Sequence, residues 1–189
     1  MTDQIYCYPP KFTVLRNKLG IRDAATLDRA ERQIVRQRTV EGVPGGDFDL
    51  AHLQKIHRHL FQDLYAWAGE IRTVEIRKDR QQFQFVRFIE TGMNDVHRRI
   101  VEARYFQSLG PDEFALQVGP IMGDVNYVHP FREGNGRTQL QYLKQLAARA
   151  GHRLDLEKVE QAPWMKASRL AHGGDYGPIS RSIRDAIAG

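Results

Sequence analysis

Residues 129–137 read His-Pro-Phe-Arg-Glu-Gly-Asn-Gly-Arg, which places a histidine, a carboxylate and two glycines close together. Residues 138–149 are mostly good helix formers, with Leu140, Leu143 and Leu146 at three-residue spacing on one face. The glycine segment is therefore predicted to lie where a loop becomes a helix. Unpaired N–H groups and the helix dipole make such a junction favourable for phosphate.

The side chains of this segment suit transfer of a phosphorus-containing group. Gly134 and Gly136 let the backbone approach a ligand closely, and Glu133 offers a hard oxygen donor for Mg²⁺. Arg137 can hold a phosphate oxygen, and His129 can accept a proton from an attacking hydroxyl. Each residue alone is more often an ordinary loop or turn residue. Their combination before an amphipathic helix predicts a phosphoryl- or nucleotidyl-transfer site.

The same segment resembles the active-site motif of Fic-domain proteins. Residues 56–74 are similar to that family's central helix and the entry to its flap, and residues 8–9, 14–21 and 174–176 also fit. The resemblance implies an all-α, mainly helical fold: a single Fic domain over residues 1–189, a helical bundle around a central motif helix. It places the active-site loop and helix at 129–150 and a short β-hairpin flap at about 73–86.

The resemblance also implies an activity, namely transfer of AMP from ATP to a hydroxyl of a target protein. His129 would be the general base, Arg137 and Asn135 would be catalytic, and Glu133 would hold Mg²⁺. Contacts to the nucleotide or its phosphates are expected from the motif and from the flap tip: Gly134, Asn135, Gly136, Arg137, Thr138, Gln139, Lys78 and Asp79.

Leu140 departs from the family pattern, which usually has a second arginine at that position. In the family that arginine binds the outermost phosphate of ATP and pairs with an inhibitory glutamate. Several alternatives remain open: AMP transfer with weaker ATP positioning, an impaired or engineered enzyme, a kinase, or a donor such as CDP-choline or UTP. A non-catalytic module that binds a partner is a further alternative.

Two segments in the first half of the chain have a period of two. Residues 73–77 and 82–86 alternate apolar and polar side chains, which predicts a hairpin. A short exposed ribbon without function gives the same pattern. The resemblance favours a flap that aligns the target beside the active site by strand addition.

The remaining pattern is helical. Asp47 or Asp49 is a candidate N-cap for a helix that ends near Phe61. The histidines of that helix, His52, His57 and His59, lack the four-residue spacing of a metal pair and are interpreted as ordinary helix residues. Further helices are predicted at 26–37, 88–107, 111–126, 157–159, 164–170 and 179–188.

The composition fits one domain of 189 residues with a formal charge of +5 and a single cysteine, Cys7. Lysine and arginine are scattered, so direct binding to nucleic acid is not expected. Apolar runs long enough for a membrane helix are missing, so a soluble, cytoplasmic protein is expected.

The resemblance to small bacterial Fic toxins also suggests partners. It implies a type II topoisomerase as a candidate target and a small antitoxin acting in trans. The family's internal inhibitory motif is not recognisable in this sequence. Leu140 argues against the usual contact with an inhibitor, because the arginine that receives the inhibitory glutamate is missing.

Overall fold

A computed structural model describes residues 3–78 and 81–188, and it confirms the mainly helical fold. The α-helices within these ranges are α1 (Ala24–Val40), α2 (Leu50–Phe61), α3 (Ile89–Glu102), α4 (Pro111–Val128), α5 (Asn135–Ala150), α6 (Gln161–His172) and α7 (Gly177–Ala186). Short 3₁₀ segments lie at Val86–Phe88, Arg104–Phe106 and Leu156–Lys158.

Side-chain caps begin the first two helices. Asp23 accepts a hydrogen bond from the N–H of Thr26 at 2.8 Å, so α1 starts before the predicted residue 26. Asp49, one of the two candidates, caps α2 by accepting from the N–H of His52 at 2.7 Å.

The helix that follows the motif, α5, lies in the core of the domain. Its buried side chains include Tyr142, Leu143 and Leu146, and they face the buried stripe of α2. Helix α4 packs against α3, α5, α6 and α7, and it continues to Val128, two residues beyond the predicted end. The loop between α4 and α5 is therefore anchored by two buried helices.

The hairpin is shorter than the sequence predicted. Strands β1 (Arg77–Lys78) and β2 (Gln81–Gln82) pair antiparallel, with Arg77 opposite Gln82 and Lys78 opposite Gln81. One further bond across the hairpin joins the N–H of Phe83 to the carbonyl oxygen of Ile76 at 3.1 Å, and the pairing then ends because the N–H of Gln84 donates to the carbonyl oxygen of Tyr127 at 2.9 Å. The predicted helix 88–107 also breaks, since Arg104, Tyr105 and Phe106 all have positive φ.

None of the helices in the described ranges is both long enough and apolar enough to cross a bilayer.

Candidate active site

His129 immediately follows α4 and adopts a left-handed conformation, with φ 47° and ψ 60°. Its Nδ1 lies 3.2 Å from the carbonyl oxygen of Asn126. A carbonyl only accepts hydrogen bonds, so Nδ1 carries the hydrogen and Nε2 keeps its lone pair. This tautomer leaves Nε2 able to accept a proton.

A flap side chain covers the imidazole. Phe83, which follows β2, stacks on His129 with ring centroids 3.8 Å apart and an interplanar angle of 17°. Burial is the main cause that lowers the pKa of His129, to about 3, and the positive charges of Arg72 and Lys78 and a coulombic effect of His172 act in the same direction. His129 is therefore neutral near pH 7, as a general base must be.

Arg72 joins the flap to the histidine segment from a fully buried position. Its Nε donates to the carbonyl oxygen of His129 at 2.8 Å, and Nη1 donates to that of Val74 at 2.8 Å. Nη2 donates to the carbonyl oxygen of Gln84, and the N–H of Arg72 donates to that of Pro130 at 2.9 Å. The side chain and main chain of Arg72 together thus fix the backbone of the histidine segment and of the flap.

Asn135 closes the loop that follows. Its Oδ1 accepts from the N–H of Phe131 at 3.0 Å, and its Nδ2 donates to the carbonyl oxygen of Phe131 at 2.7 Å. Both polar atoms of this buried side chain are therefore engaged within the loop. The side chain fixes the loop shape, and the N–H of Asn135 is the group left for a ligand.

The two motif glycines have different surroundings. Gly134 has φ 80°, and a Cβ at this position would overlap the Phe61 ring, so both conformation and space require glycine. A Cβ on Gly136 would meet no atom within 4 Å. The space that a side chain at position 136 would occupy is therefore open.

The first intrahelical bond of α5 defines which N–H groups can serve a ligand. The N–H of Thr138 donates to the carbonyl oxygen of Gly134 at 3.1 Å, so residues 135–137 supply the first-turn N–H groups. The Thr138 hydroxyl also donates to Gly134, and Gln139 is buried with its amide directed at Val125. This geometry argues against the phosphate contacts predicted for Thr138 and Gln139.

Glu133 is exposed beside these N–H groups. Its Oε1 accepts from the N–H of Gly134 at 2.8 Å, and it lies 3.7 Å from Nη2 of Arg137. A cluster of three or more potential metal-binding side chains does not occur in the part of the chain that the structure describes. One carboxylate is nevertheless a sufficient protein ligand for Mg²⁺, which takes its other oxygens from substrate phosphates and water.

Arg137 lies one turn into α5 with its side chain one-third exposed. Its Nη2 pairs with the carboxylate of Glu31, and its guanidinium carbon lies 4.8 Å from the centre of the Phe61 ring. Glu31 also accepts a hydrogen bond from the hydroxyl of Tyr65. These contacts hold the guanidinium of Arg137 in one orientation.

His57, interpreted from the sequence as an ordinary helix residue, bonds to the loop between α4 and α5. Its Nδ1 accepts from the N–H of Gly69 at 2.8 Å, so Nε2 donates to the carbonyl oxygen of Glu133 at 3.0 Å. The ring stacks on Phe131 with centroids 3.9 Å apart, and burial lowers the pKa of His57 to about 4. The neutral imidazole of His57 holds the loop between α4 and α5 in place.

The remaining predicted residues lie at the edges of the site. Lys78 is exposed on β1, and Asp79 lies outside the described residues. Leu140 is partly buried and packs against the core, one turn after Arg137. Arg132, the motif residue before Glu133, pairs with Asp3.

Four contributors to the site were not identified from the sequence: Glu31, Arg72, Phe83 and His57. Glu31 carried a weak signal, because it stands four residues from Leu27 and from Val35 in the buried stripe of α1. A carboxylate in such a stripe usually has a partner. The contacts of the other three are set by tertiary structure.

Known proteins of similar sequence and fold provide a comparison. The Fic/DOC family profile matches residues 47–147. A probable protein adenylyltransferase of Sinorhizobium fredii, y4lH, is 36% identical over 182 residues, covering 96% of this chain and 94% of that protein. The protein adenylyltransferase VbhT of Bartonella schoenbuchensis is 38% identical over 178 residues, covering 93% of this chain and 37% of VbhT.

A solved structure provides a comparison of the fold. BepC of Bartonella tribocorum, crystallised with bound AMPPNP, has a TM-score of 0.90 with this chain. The match covers 99% of this chain and 98% of that one at 24% identity. At this level of identity the likeness establishes a shared fold.

Proposed function

Because the chain belongs to the Fic/DOC family, we propose that it transfers AMP from ATP to a hydroxyl group of another protein. The observation that carries this proposal is the arrangement around residues 129–137: a neutral imidazole with Nε2 as acceptor precedes three first-turn N–H groups and an arginine. The two relatives that are named protein adenylyltransferases support the same reaction.

In the proposed reaction the target hydroxyl attacks the α-phosphorus of ATP. An oxygen–phosphorus bond forms, the bond from the α-phosphorus to the bridging oxygen breaks, and pyrophosphate leaves. His129 Nε2 accepts the hydroxyl proton, which typically contributes ~10²–10⁴-fold. The bond from Nδ1 to the Asn126 carbonyl oxygen holds the ring in the correct tautomer and orientation.

The start of α5 would bind the phosphates. The N–H groups of residues 135–137 precede the first intrahelical bond, a Cβ on Gly136 would meet open space, and the positive end of the helix dipole adds to the attraction for anions. Arg137 would neutralise charge on the leaving pyrophosphate. Catalysis of this kind depends on positioning and electrostatics rather than a covalent intermediate.

Glu133 would be the protein ligand for Mg²⁺, since its carboxylate is exposed beside the phosphate-binding turn. An Mg²⁺ ion held by Glu133 would supply positive charge that offsets the negative charge of the donor phosphates. The main chain of Glu133 is held in place by the hydrogen bond that its carbonyl oxygen accepts from His57.

The flap would align the target. Phe83 lies over His129, and the Gln81 side chain donates to the carbonyl oxygen of Arg169 in α6 at 3.1 Å, so this part of the flap is anchored at both ends. An extended target segment could pair with the flap edge through main-chain hydrogen bonds. Lys78 and Asp79 remain predicted nucleotide contacts.

The identity of the target and of any inhibitor belongs to the same proposal. A type II topoisomerase is the first candidate target, on the basis of the resemblance to small bacterial toxins. An antitoxin acting in trans would have to bind through contacts other than an arginine at position 140, where this chain has leucine.

The proposal is tested by offering donors labelled in different groups to candidate target proteins. ATP labelled at the α-phosphate, ATP labelled at the γ-phosphate, labelled UTP and labelled CDP-choline are compared in the presence of Mg²⁺. Label from the α-phosphate alone is expected on the target, identified by mass spectrometry as a hydroxyl-linked AMP. Label from the γ-phosphate would instead identify a kinase, and label from CDP-choline a phosphocholine transferase.

His129→Ala is the matched control in each reaction. This variant should retain the fold and ATP binding and lose transfer. Transfer at the wild-type rate by His129→Ala would remove the assignment of the base.

A further inference from the structure

Glu31 is a buried carboxylate far in sequence from the motif. Only 7% of its surface is exposed, and it lies in the apolar stripe of α1 between Leu27 and Val35. Burying a carboxylate is unfavourable unless its oxygens have partners. Here Oε1 accepts a hydrogen bond from Nη2 of Arg137, and Oε2 accepts one from the hydroxyl of Tyr65.

Tyr65 is itself fixed by packing. Its ring stacks on Trp67 with centroids 4.3 Å apart, and burial and the nearby charge of Glu31 raise its pKa, so the hydroxyl keeps its proton. The hydroxyl can therefore only donate to Glu31 in this pair. The Tyr65–Glu31 bond orients the carboxylate towards Arg137.

The guanidinium of Arg137 is held on two sides. Glu31 engages one terminal nitrogen, and the guanidinium carbon lies over the Phe61 ring, 4.8 Å from its centre. A guanidinium has five N–H donors, so the remaining donors on its exposed side are available to a phosphate. Because Glu31 approaches from the core, it does not occupy that exposed side.

We infer that Glu31 is a positioning residue that holds Arg137 ready for the outer phosphates of the nucleotide donor, with Tyr65 orienting Glu31. This role rests on the proposed function, because it assumes that Arg137 contacts the β- or γ-phosphate of ATP. It is more important in this chain than in relatives with a second arginine, since Leu140 cannot share the contact. Preorganising Arg137 reduces the loss of side-chain freedom on binding.

The test compares Glu31→Gln and Tyr65→Phe with wild type. Equilibrium dialysis with Mg²⁺ measures the dissociation constants of ATP and AMP, and transfer assays give KM for ATP and kcat. Glu31→Gln should weaken ATP binding about 10-fold, the loss expected for one charge-assisted hydrogen bond. AMP lacks the outer phosphates, so its binding should change by less than about 2-fold on the same reasoning.

Tyr65→Phe should change ATP binding in the same direction by a smaller factor. It keeps the ring stack, so it provides the test if Glu31→Gln does not fold. Asp63→Asn is the matched control, since Asp63 accepts from Arg38 of α1 at 2.6 Å and 2.7 Å in an ion pair whose side chains are 41% and 27% exposed. It should leave ATP and AMP binding unchanged.

Several outcomes would overturn the inference while leaving the proposed function intact. The first is a folded Glu31→Gln variant that binds ATP as tightly as wild type or more tightly. The second is a Glu31→Gln variant that loses affinity for ATP and for AMP by the same factor. Failure of the wild-type protein to bind ATP and to transfer AMP would instead refute the proposed function. The two failures are therefore distinguishable.

Discussion

The Nε of Arg72 donates a hydrogen bond of 2.8 Å to the main-chain carbonyl oxygen of His129. The same guanidinium also bonds to the carbonyl oxygen of Gln84, on the flap. Gln84 in turn donates from its N–H to Tyr127, at the end of α4. The orientation of the imidazole and the position of the flap are thus fixed by one buried cation.

Replacing Arg72 should loosen both parts at once. Arg72→Met keeps an extended apolar side chain but leaves several buried carbonyl oxygens without donors, so we expect the free energy of unfolding to fall by about 2–4 kcal/mol. Transfer should fall more than ATP binding, because the imidazole and flap lose their alignment while the phosphate-binding turn is unchanged. Urea unfolding, ATP dialysis and kcat measure the three quantities.

Arg99→Met is a suitable control, since Arg99 pairs with Asp124 on a more exposed surface of α3 and α4. It should lower stability by less than Arg72→Met and leave the ratio of transfer to ATP binding near that of wild type. A folded Arg72→Met variant with wild-type kcat would contradict the coupling of flap and imidazole.

The two motif glycines predict different responses to an added methyl group. Gly134→Ala places Cβ against the Phe61 ring at a positive φ, so it should destabilise the protein by about 1–3 kcal/mol. Gly136→Ala meets open space within the first turn of a helix and should be neutral or slightly stabilising. Thermal and urea unfolding of the pair would measure the difference.

Ligand binding separates the same two variants. Gly136→Ala should weaken ATP binding despite its intact fold, because the methyl group occupies space over the phosphate-binding turn. If Gly136→Ala bound ATP as wild type does, the phosphates would not lie over Gly136.

The cover provided by Phe83 predicts how His129 titrates. With its pKa lowered to about 3, His129 should show no protonation between about pH 8 and about pH 5, where an ordinary histidine changes charge. Phe83→Ala exposes the ring and should raise its pKa towards the ordinary value. NMR titration of the imidazole Cε1–Hε1 signals, assigned with His129→Asn, measures both values.

The groups around His129 determine whether its protonation raises or lowers the stability of the fold as the pH changes. Arg72, Lys78 and His172 all disfavour its protonated form, and burial adds the larger effect. The unfolded chain takes up this proton near ~6.5, so the linked stability is fully present above that pH and declines as the pH falls towards the folded value. A His129 midpoint near ~6.5 in the wild-type protein would contradict the closed position of Phe83.

The sequence predicted the motif and its two flanking helices because these features are local. A histidine, a glycine turn and a period of 3.6 residues are contiguous, and the cap at Asp49 has its own signal. Glu31, Arg72 and Phe83 reach the site from separate elements, so their roles depend on packing that no local pattern specifies. The hairpin was predicted too long because Gln84 bonds to Tyr127 instead of continuing a ladder.

Leu140 allows the departure from the family motif to be measured directly. It is partly buried one turn after Arg137, so Leu140→Arg should extend a guanidinium from the same face of α5 towards the outer phosphates. We expect ATP binding about 10-fold tighter and a lower KM for ATP, with an unfolding free energy lower by about 1 kcal/mol from lost apolar contact. Leu140→Met keeps the apolar character and should leave both quantities close to wild type.

ADP, which lacks the γ-phosphate, is the discriminating ligand: the affinity of Leu140→Arg for ADP should rise less than its affinity for ATP. Equal gains for ATP, ADP and AMP would show that position 140 does not face the outermost phosphate.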